Sequence, residues 1–264
     1  MADWAAHLSL TQYLLGLASG SFVGFCLGLV GGGGSILAVP LIVYVVGVPN
    51  PHLAIGTSAL AVAINAAAGL ACHARAGHVK WRCAGLYAGV GVAGALAGST
   101  IGKAVDGQKL LALFALVMLL AGAMILRRRR NCTPGQEWNR RSIPRIVALG
   151  FGTGAFSGFF GIGGGFLIVP GLVASTGMAM LNAIGSSLVA VTAFGLTTAL
   201  SYAASGLVDW YLAGAFILGG GAGSYLGMAM TRRLSASAVA LPAMFAGLIF
   251  AVALYMLWRS AGGA

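Results

Sequence analysis

The 264-residue chain contains only four acidic residues, Asp3, Asp106, Glu137 and Asp209, and each falls outside the apolar runs. The runs lie at about 10–30, 35–48, 53–72, 84–102 and 109–126, then 146–161, 165–177, 183–204, 212–231 and 238–258. Charged residues make up 7% of the chain, against about 25% in a soluble domain, which is too few to cover the surface of a globule. The 43 glycines sit inside apolar runs rather than in a polar low-complexity tract, which excludes a collagen-like or disordered chain. A helix needs about 20 residues to cross a bilayer, so the pattern predicts an all-α, multi-pass membrane helix bundle with no separate soluble domain. The pieces at 35–48 and 165–177 are short. Fourteen helical residues reach only about 21 Å, so these are expected to be half-helices or arms of re-entrant hairpins.

Lys and Arg are retained on the cytoplasmic side of a membrane protein. The 127–145 linker carries Arg127 to Arg130, Arg140, Arg141 and Arg145 against Glu137, a net +6. Arg75, Lys80 and Arg82 form a second basic loop, and Arg232 and Arg233 a third. All three face the cytoplasm together if both termini lie outside, so the expected orientation is N-out, C-out. The net charge of +11 is then topogenic, and no nucleic-acid partner is implied. Met1 to Trp4 lack the basic start of a cleaved signal peptide, and none is expected. Trp81, Trp210 and Trp258 fall at span ends, where an indole suits the interface.

The chain also repeats itself. GFCLGLVGGGGSILAVP at 24–40 and GAFSGFFGIGGGFLIVP at 154–170 share eight identities in 17 positions. Ala54 to Ser58 answers Ala183 to Ser187, Gly77 to Trp81 answers Gly206 to Trp210, and Gly91, Gly94 and Gly98 answer Gly220, Gly223 and Gly227. This divides the chain into a first repeat at 1–126, a basic cytoplasmic linker at 127–145 and a second repeat at 146–264. The 77–81 loop is basic, whereas its counterpart at 206–210 holds only Asp209. Equivalent loops on opposite sides mean inverted-topology repeats, a hallmark of secondary transporters with a midplane site at the repeat interface.

Interrupted short segments at matching positions are the sequence pointer to such a site. Here they are entered through Gly31, Gly32, Gly33, Gly34 and Ser35, and through Gly161, Gly163, Gly164 and Gly165. Adjacent glycines break a helix, and the segment that follows starts with orphan N–H donors and a positive dipole end. Two such starts near the midplane would form an anion site made of backbone. Thr57 and Ser58, with Ser186 and Ser187, are small hydroxyls available either to bond a helix carbonyl or to contact substrate. Asn65, whose counterpart is Phe194, and His73, near a span end, are candidate gates. Gly16, Gly20, Gly24 and Gly28, and equally Gly150, Gly154 and Gly158, share one helical face and are expected to permit close helix crossing.

No carboxylate sits within a span, which disfavours a cationic substrate and a carboxylate proton relay. There is no Ser/His/Asp set, paired carboxylate or phosphate-binding glycine loop, so no catalytic residue is assigned and the chain is not expected to be an enzyme. Cys26, Cys72, Cys83 and Cys132 lack metal-ligand spacing and are read as packing thiols, with no metal and no cofactor.

The doubled G-x3-G-x2-G-x-G-G…P pattern, with Ala54 to Ser58 and Gly77 to Trp81, resembles the TauE/SafE family of sulfite exporters, which includes 4-toluene sulfonate uptake permease-type transporters. The resemblance spans nearly the whole chain. It implies an inner (plasma) membrane transporter of small sulfur anions such as sulfite, thiosulfate or sulfoacetate. It carries the glycine motif onto Gly31 to Ser35 and Gly161 to Gly165, and the hydroxyl pair onto Thr57 and Ser58. Ser186 in place of threonine makes the half-sites chemically unequal. The expected function is therefore export of a small sulfur oxyanion or organosulfonate by alternating access. An anion-selective channel and a non-transporting membrane scaffold are the alternatives.

Overall fold

Apolar runs without internal carboxylates satisfy their backbone groups by coiling, because a helix closes its own hydrogen bonds. The computed structural model describes residues 9–30, 32–127, 143–161, 165–178, 180–233 and 240–261, and these are helical apart from short connections. Gly31, Gly163, Gly164, Cys132 and most of the basic linker lie outside the described residues.

The first half contains α1 (Leu10–Val30), a short broken helix α2 (32–45), α3 (Pro51–Arg75), α4 (Trp81–Ala104) and α5 (Gly107–Arg127). The second contains α6 (Ile143–Phe160), α7 (Gly165–Thr176), α8 (Met180–Ala203), α9 (Trp210–Arg233) and α10 (Ala240–Ala261). Five helical stretches among the described residues are long and apolar enough to cross a membrane: Leu10–Leu27, Pro51–Arg75, Trp81–Ala104, Ile143–Phe160 and Leu181–Ala203. Gly34–Val45, Gly107–Ala123 and Gly247–Arg259 are shorter apolar stretches.

Small residues set the packing. α1 lies along α9, and α4 along α6. At the first crossing the Cα of Gly24 rests on the backbone of Gly220; at the second, Gly154 rests on Gly91. Gly20, Gly158, Gly94 and Gly223 make further backbone contacts along the same two seams. The expectation of close crossing thus holds for these faces, since a Cβ at any of them would overlap the partner backbone. α3 packs on α8 and α9, α8 also on α4, and α5 on α10.

α1 and α2 form an antiparallel hairpin. Gln12 Nε2 donates to the carbonyl of Val46 at 3.2 Å, which ties the far end of α2 to the start of α1. The Cα of Gly34 packs on the backbone of Cys26 and Leu27, so the turn is tight. α2 is itself irregular: a 3₁₀ stretch at Gly32–Leu37, an α turn at Ala38–Pro40 and a π turn at Leu41–Val45. α1 ends at Val30 and the 3₁₀ stretch begins at Gly32, and Pro40 marks the change from α to π geometry. α7 carries Pro170 internally.

The connecting loops share a design. Gly77 and Gly206 both adopt positive φ, at 73° and 71°, a conformation glycine reaches without a Cβ penalty. In each loop the next N–H reaches back to a helix carbonyl: His78 to His73 at 3.1 Å, and Leu207 to Tyr202 at 2.9 Å. Trp81 and Trp210 open α4 and α9 and are exposed, as is Trp258 near the end of α10. Of the thiols, Cys26 and Cys83 are buried, but Cys72 is exposed. The packing role therefore fails for Cys72, which lies one turn from the end of α3 and points away from the bundle.

Candidate functional site

The 3₁₀ start of α2 packs against α7, so the two short helices meet inside the bundle. Ser35, Ile36, Leu37 and Ala38 on one side and Ile168 and Leu172 on the other are at most 1% exposed. Gly24 and Gly220 cross near the middle of α9, and Gly34 sits against Leu27, about one turn further along α1. The start of α2 therefore lies at about the level of the middle of α9. Gly32, Gly33 and Gly34 are the first residues of that 3₁₀ stretch, and the first N–H groups of a helix lack acceptors within it. Gly165 is buried at the start of α7, and Gly161, with φ of 67°, closes α6 against Ile55 of α3.

The four hydroxyl residues divide into two matched pairs. Ser58 Oγ donates to the Ile55 carbonyl at 2.9 Å, and Ser187 Oγ donates to the Ile184 carbonyl at 2.8 Å. This is the back-bonding open to small hydroxyls in helices. Thr57 and Ser186 do something else: Thr57 Oγ1 accepts from the Asp209 N–H at 3.0 Å, and Ser186 Oγ accepts from the Lys80 N–H at 2.9 Å. Each fastens the loop of the other half onto its own helix. Gly56 and Gly185, one residue earlier, leave room for that loop, with their Cα atoms against Leu207 and His78. All four hydroxyls are buried and engaged within the protein.

Asn65 lies at mid-span of α3, is 7% exposed, and sets its amide against Gly220 at the α1–α9 crossing. At the α4–α6 crossing the corresponding place is filled by Phe194 against Gly91. Phe194 stacks on Tyr87 at 6.4 Å, and the Tyr87 and Thr153 hydroxyls are 2.7 Å apart. Tyr87 also reaches the Cα of Gly171 on α7. The two crossings are therefore polar in different ways, one through an amide and the other through a hydroxyl pair. Sequence reasoning missed the Tyr87–Thr153 pair. The available signal was that Tyr87 shares a helical face with Gly91, Gly94 and Gly98.

Among the described residues the charged groups stay at the ends. Asp106 Oδ1 accepts from the N–H groups of Gln108 and Lys109 at 3.0 and 3.3 Å, and Asp209 Oδ1 from those of Tyr211 and Leu212, both at 3.0 Å. Both carboxylates cap helix starts, where negative charge is favoured. His73 is at the other end, 5.8 Å from the ring of His78, its Nδ1 buried without a partner. Among the described residues no group of three or more His, Cys, Asp or Glu is placed to hold a metal ion.

The apolar helices among the described residues are consistent with the comparison to known proteins. The family model described as "Sulfite exporter TauE/SafE" matches residues 16–256. The chain belongs to the TauE/SafE sulfite exporter family. It is similar to a "Probable membrane transporter protein" of Xylella fastidiosa, with 51% identity over 96% of this chain and 98% of that one. A Haemophilus influenzae protein with the same description is 32% identical over 87% of this chain and 90% of its own. Bacillus subtilis YdhB, also a probable membrane transporter, is 26% identical over 86% of this chain and 95% of its own. No solved structure matches. The chain is thus a multi-pass membrane protein of a transporter family rather than of an enzyme family.

Proposed function

We propose that the protein is a secondary transporter that exports a small sulfur-containing anion, such as sulfite, thiosulfate or sulfoacetate, across the inner membrane by alternating access. The observation that carries this reading is the meeting of α2 with α7 inside the bundle, with every described carboxylate held at a helix cap on its surface. Backbone N–H groups at helix starts favour an anion, and among the described residues no negative side chain opposes it. We place the binding site at Gly31 to Ser35 and Gly161 to Gly165. The engaged hydroxyls of Thr57, Ser58, Ser186 and Ser187 frame that site, and Asn65 and His73 flank the path.

The halves act as inverted repeats joined by the basic linker. Support comes from contacts that occur in matched pairs: α1 with α9 and α6 with α4, Thr57 with Asp209 and Ser186 with Lys80. Each half then counts three crossings and one hairpin, an odd number, so the second half enters from the opposite side. The basic loops place the Arg75 end in the cytoplasm and the Lys103 end outside.

The test is uptake of labelled sulfite into proteoliposomes holding purified protein, with thiosulfate and sulfoacetate as competitors. Saturable uptake inhibited by at least one of the two is expected. Uptake of all three anions no faster than into empty liposomes, with folded protein, overturns the proposal.

A further inference from the structure

At the Lys103 end of the bundle, Tyr202 of α8 is fully buried and its hydroxyl has no hydrogen-bond partner. A buried hydroxyl normally finds one. One turn earlier on the same helix, the hydroxyl of Thr198 is also fully buried and unpartnered. The His52 ring lies 6.4 Å from that of Tyr202, and its Nδ1 is buried without a partner. From another direction comes Lys103, whose ammonium stands 5.8 Å from the Tyr202 ring centroid. It donates to the Ser201 carbonyl and to Ser205 Oγ, both at 3.0 Å, which leaves one of its three protons.

Three helices thus bring a phenol, an imidazole and an ammonium to one place, with hydrogen-bonding capacity unspent on all three. On the α4 side Gly102 lets the Tyr202 hydroxyl approach, since a Cβ there would come within 3.3 Å of it and closer still to the Phe159 carbonyl of α6. The carboxylates described at this end, Asp106 and Asp209, accept from helix-start N–H groups and do not compete. At an offset of 129 residues, Tyr202 corresponds to His73, whose ring nitrogen is likewise buried and unpartnered at the opposite end. The same position in both halves therefore carries an unsatisfied ring group.

We propose that Tyr202, Lys103 and His52 form a port for a small oxyanion at the Lys103 end, separate from the mid-depth site, with the phenol and ammonium donating to the anion as it passes. The proposal rests on the transporter reading and adds a second, sided point of recognition. Thr198 is the next donor inward.

The test is the sulfite KM measured separately from each face, in right-side-out and inverted membrane vesicles carrying the full chain. A hydrogen bond to a charged group is worth about tenfold or more. Tyr202→Phe is therefore expected to raise KM about tenfold from the Lys103 face only, with the opposite KM within about twofold and kcat/KM lowered alike from both faces, as an unchanged transport equilibrium requires. Lys103→Gln should act in the same sense, and Lys103→Arg should restore most of the loss. If Tyr202→Phe is not recovered folded, Thr198→Val and Lys103→Gln carry the test. An unchanged KM at the Lys103 face, or an equal rise at both faces, overturns the port while leaving the transporter standing. A wild-type protein that moves no anion removes both. A lipid phosphate is the other oxyanion at this depth. If phosphatidylglycerol competes with sulfite binding to the detergent-purified wild type but not to Tyr202→Phe, the pocket belongs to a headgroup and the port is refuted.

Discussion

Gly154→Ala should loosen the α4–α6 seam, whereas Gly152→Ala, two residues away on the same helix, should not. A Cβ on Gly154 meets the Gly91 carbonyl oxygen and lies 2.7 Å from both its C and Cα atoms. Carbon–carbon contacts are comfortable at about 3.5–4.0 Å, so the helices must part by roughly 1 Å along a seam where both neighbours are backbone. Overpacking of a well-filled interior costs about 1–3 kcal/mol, and backbone on both sides places this case at the upper end. A Cβ on Gly152 meets nothing within 4 Å, and replacing glycine by alanine in open helix stabilises by up to about 1 kcal/mol. The two variants should differ by about 3 kcal/mol, a separation on the order of 5–10 °C in Tm. The assay is thermal unfolding of the purified protein in detergent, followed by tryptophan fluorescence and by loss of the monodisperse gel-filtration peak. Gly24→Ala against Gly220 repeats the contact with the same 2.7 Å separations and should match Gly154→Ala. Equal midpoints for Gly152→Ala and Gly154→Ala would refute the packing argument.

Thr57→Val strands the Asp209 N–H and Ser186→Ala the Lys80 N–H; each should lower stability by about 1–3 kcal/mol in the same unfolding assay. Tyr87→Phe gives up one hydroxyl contact at 2.7 Å, and a double-mutant cycle with Thr153→Val should return a coupling of about 1 kcal/mol. In a Cys132→Ser background, a membrane-impermeant maleimide should modify the exposed Cys72 in inverted vesicles but not in intact cells. Labelling of intact cells would reverse the orientation.

Much of the fold was legible because membrane segments declare themselves by composition. The span limits, the two short segments and the crossing faces of Gly24 and Gly154 all follow from apolar run length and four-residue spacing. The polar details were less so. Ser58 and Ser187 bond a carbonyl three residues back, which local spacing anticipates. Thr57 and Ser186 instead hold loops 152 and 106 residues away, and nothing within one helix signals such a partner. Tyr202 belongs to none of the sequence motifs. Only the packing of α3, α4 and α8 around it leaves its hydroxyl buried and unpaired. Cys72 shows the reverse error, because a thiol in an apolar run looks buried until the helix face is known.

Sulfite counterflow tests the central claim most directly. Proteoliposomes preloaded with unlabelled sulfite are diluted into a trace of labelled sulfite, and internal label is followed over time. An alternating-access carrier predicts a transient overshoot of label above equilibrium that disappears without preloading. A monotonic approach to equilibrium at the same rate in loaded and empty vesicles would contradict it, and would identify a channel on the same scaffold.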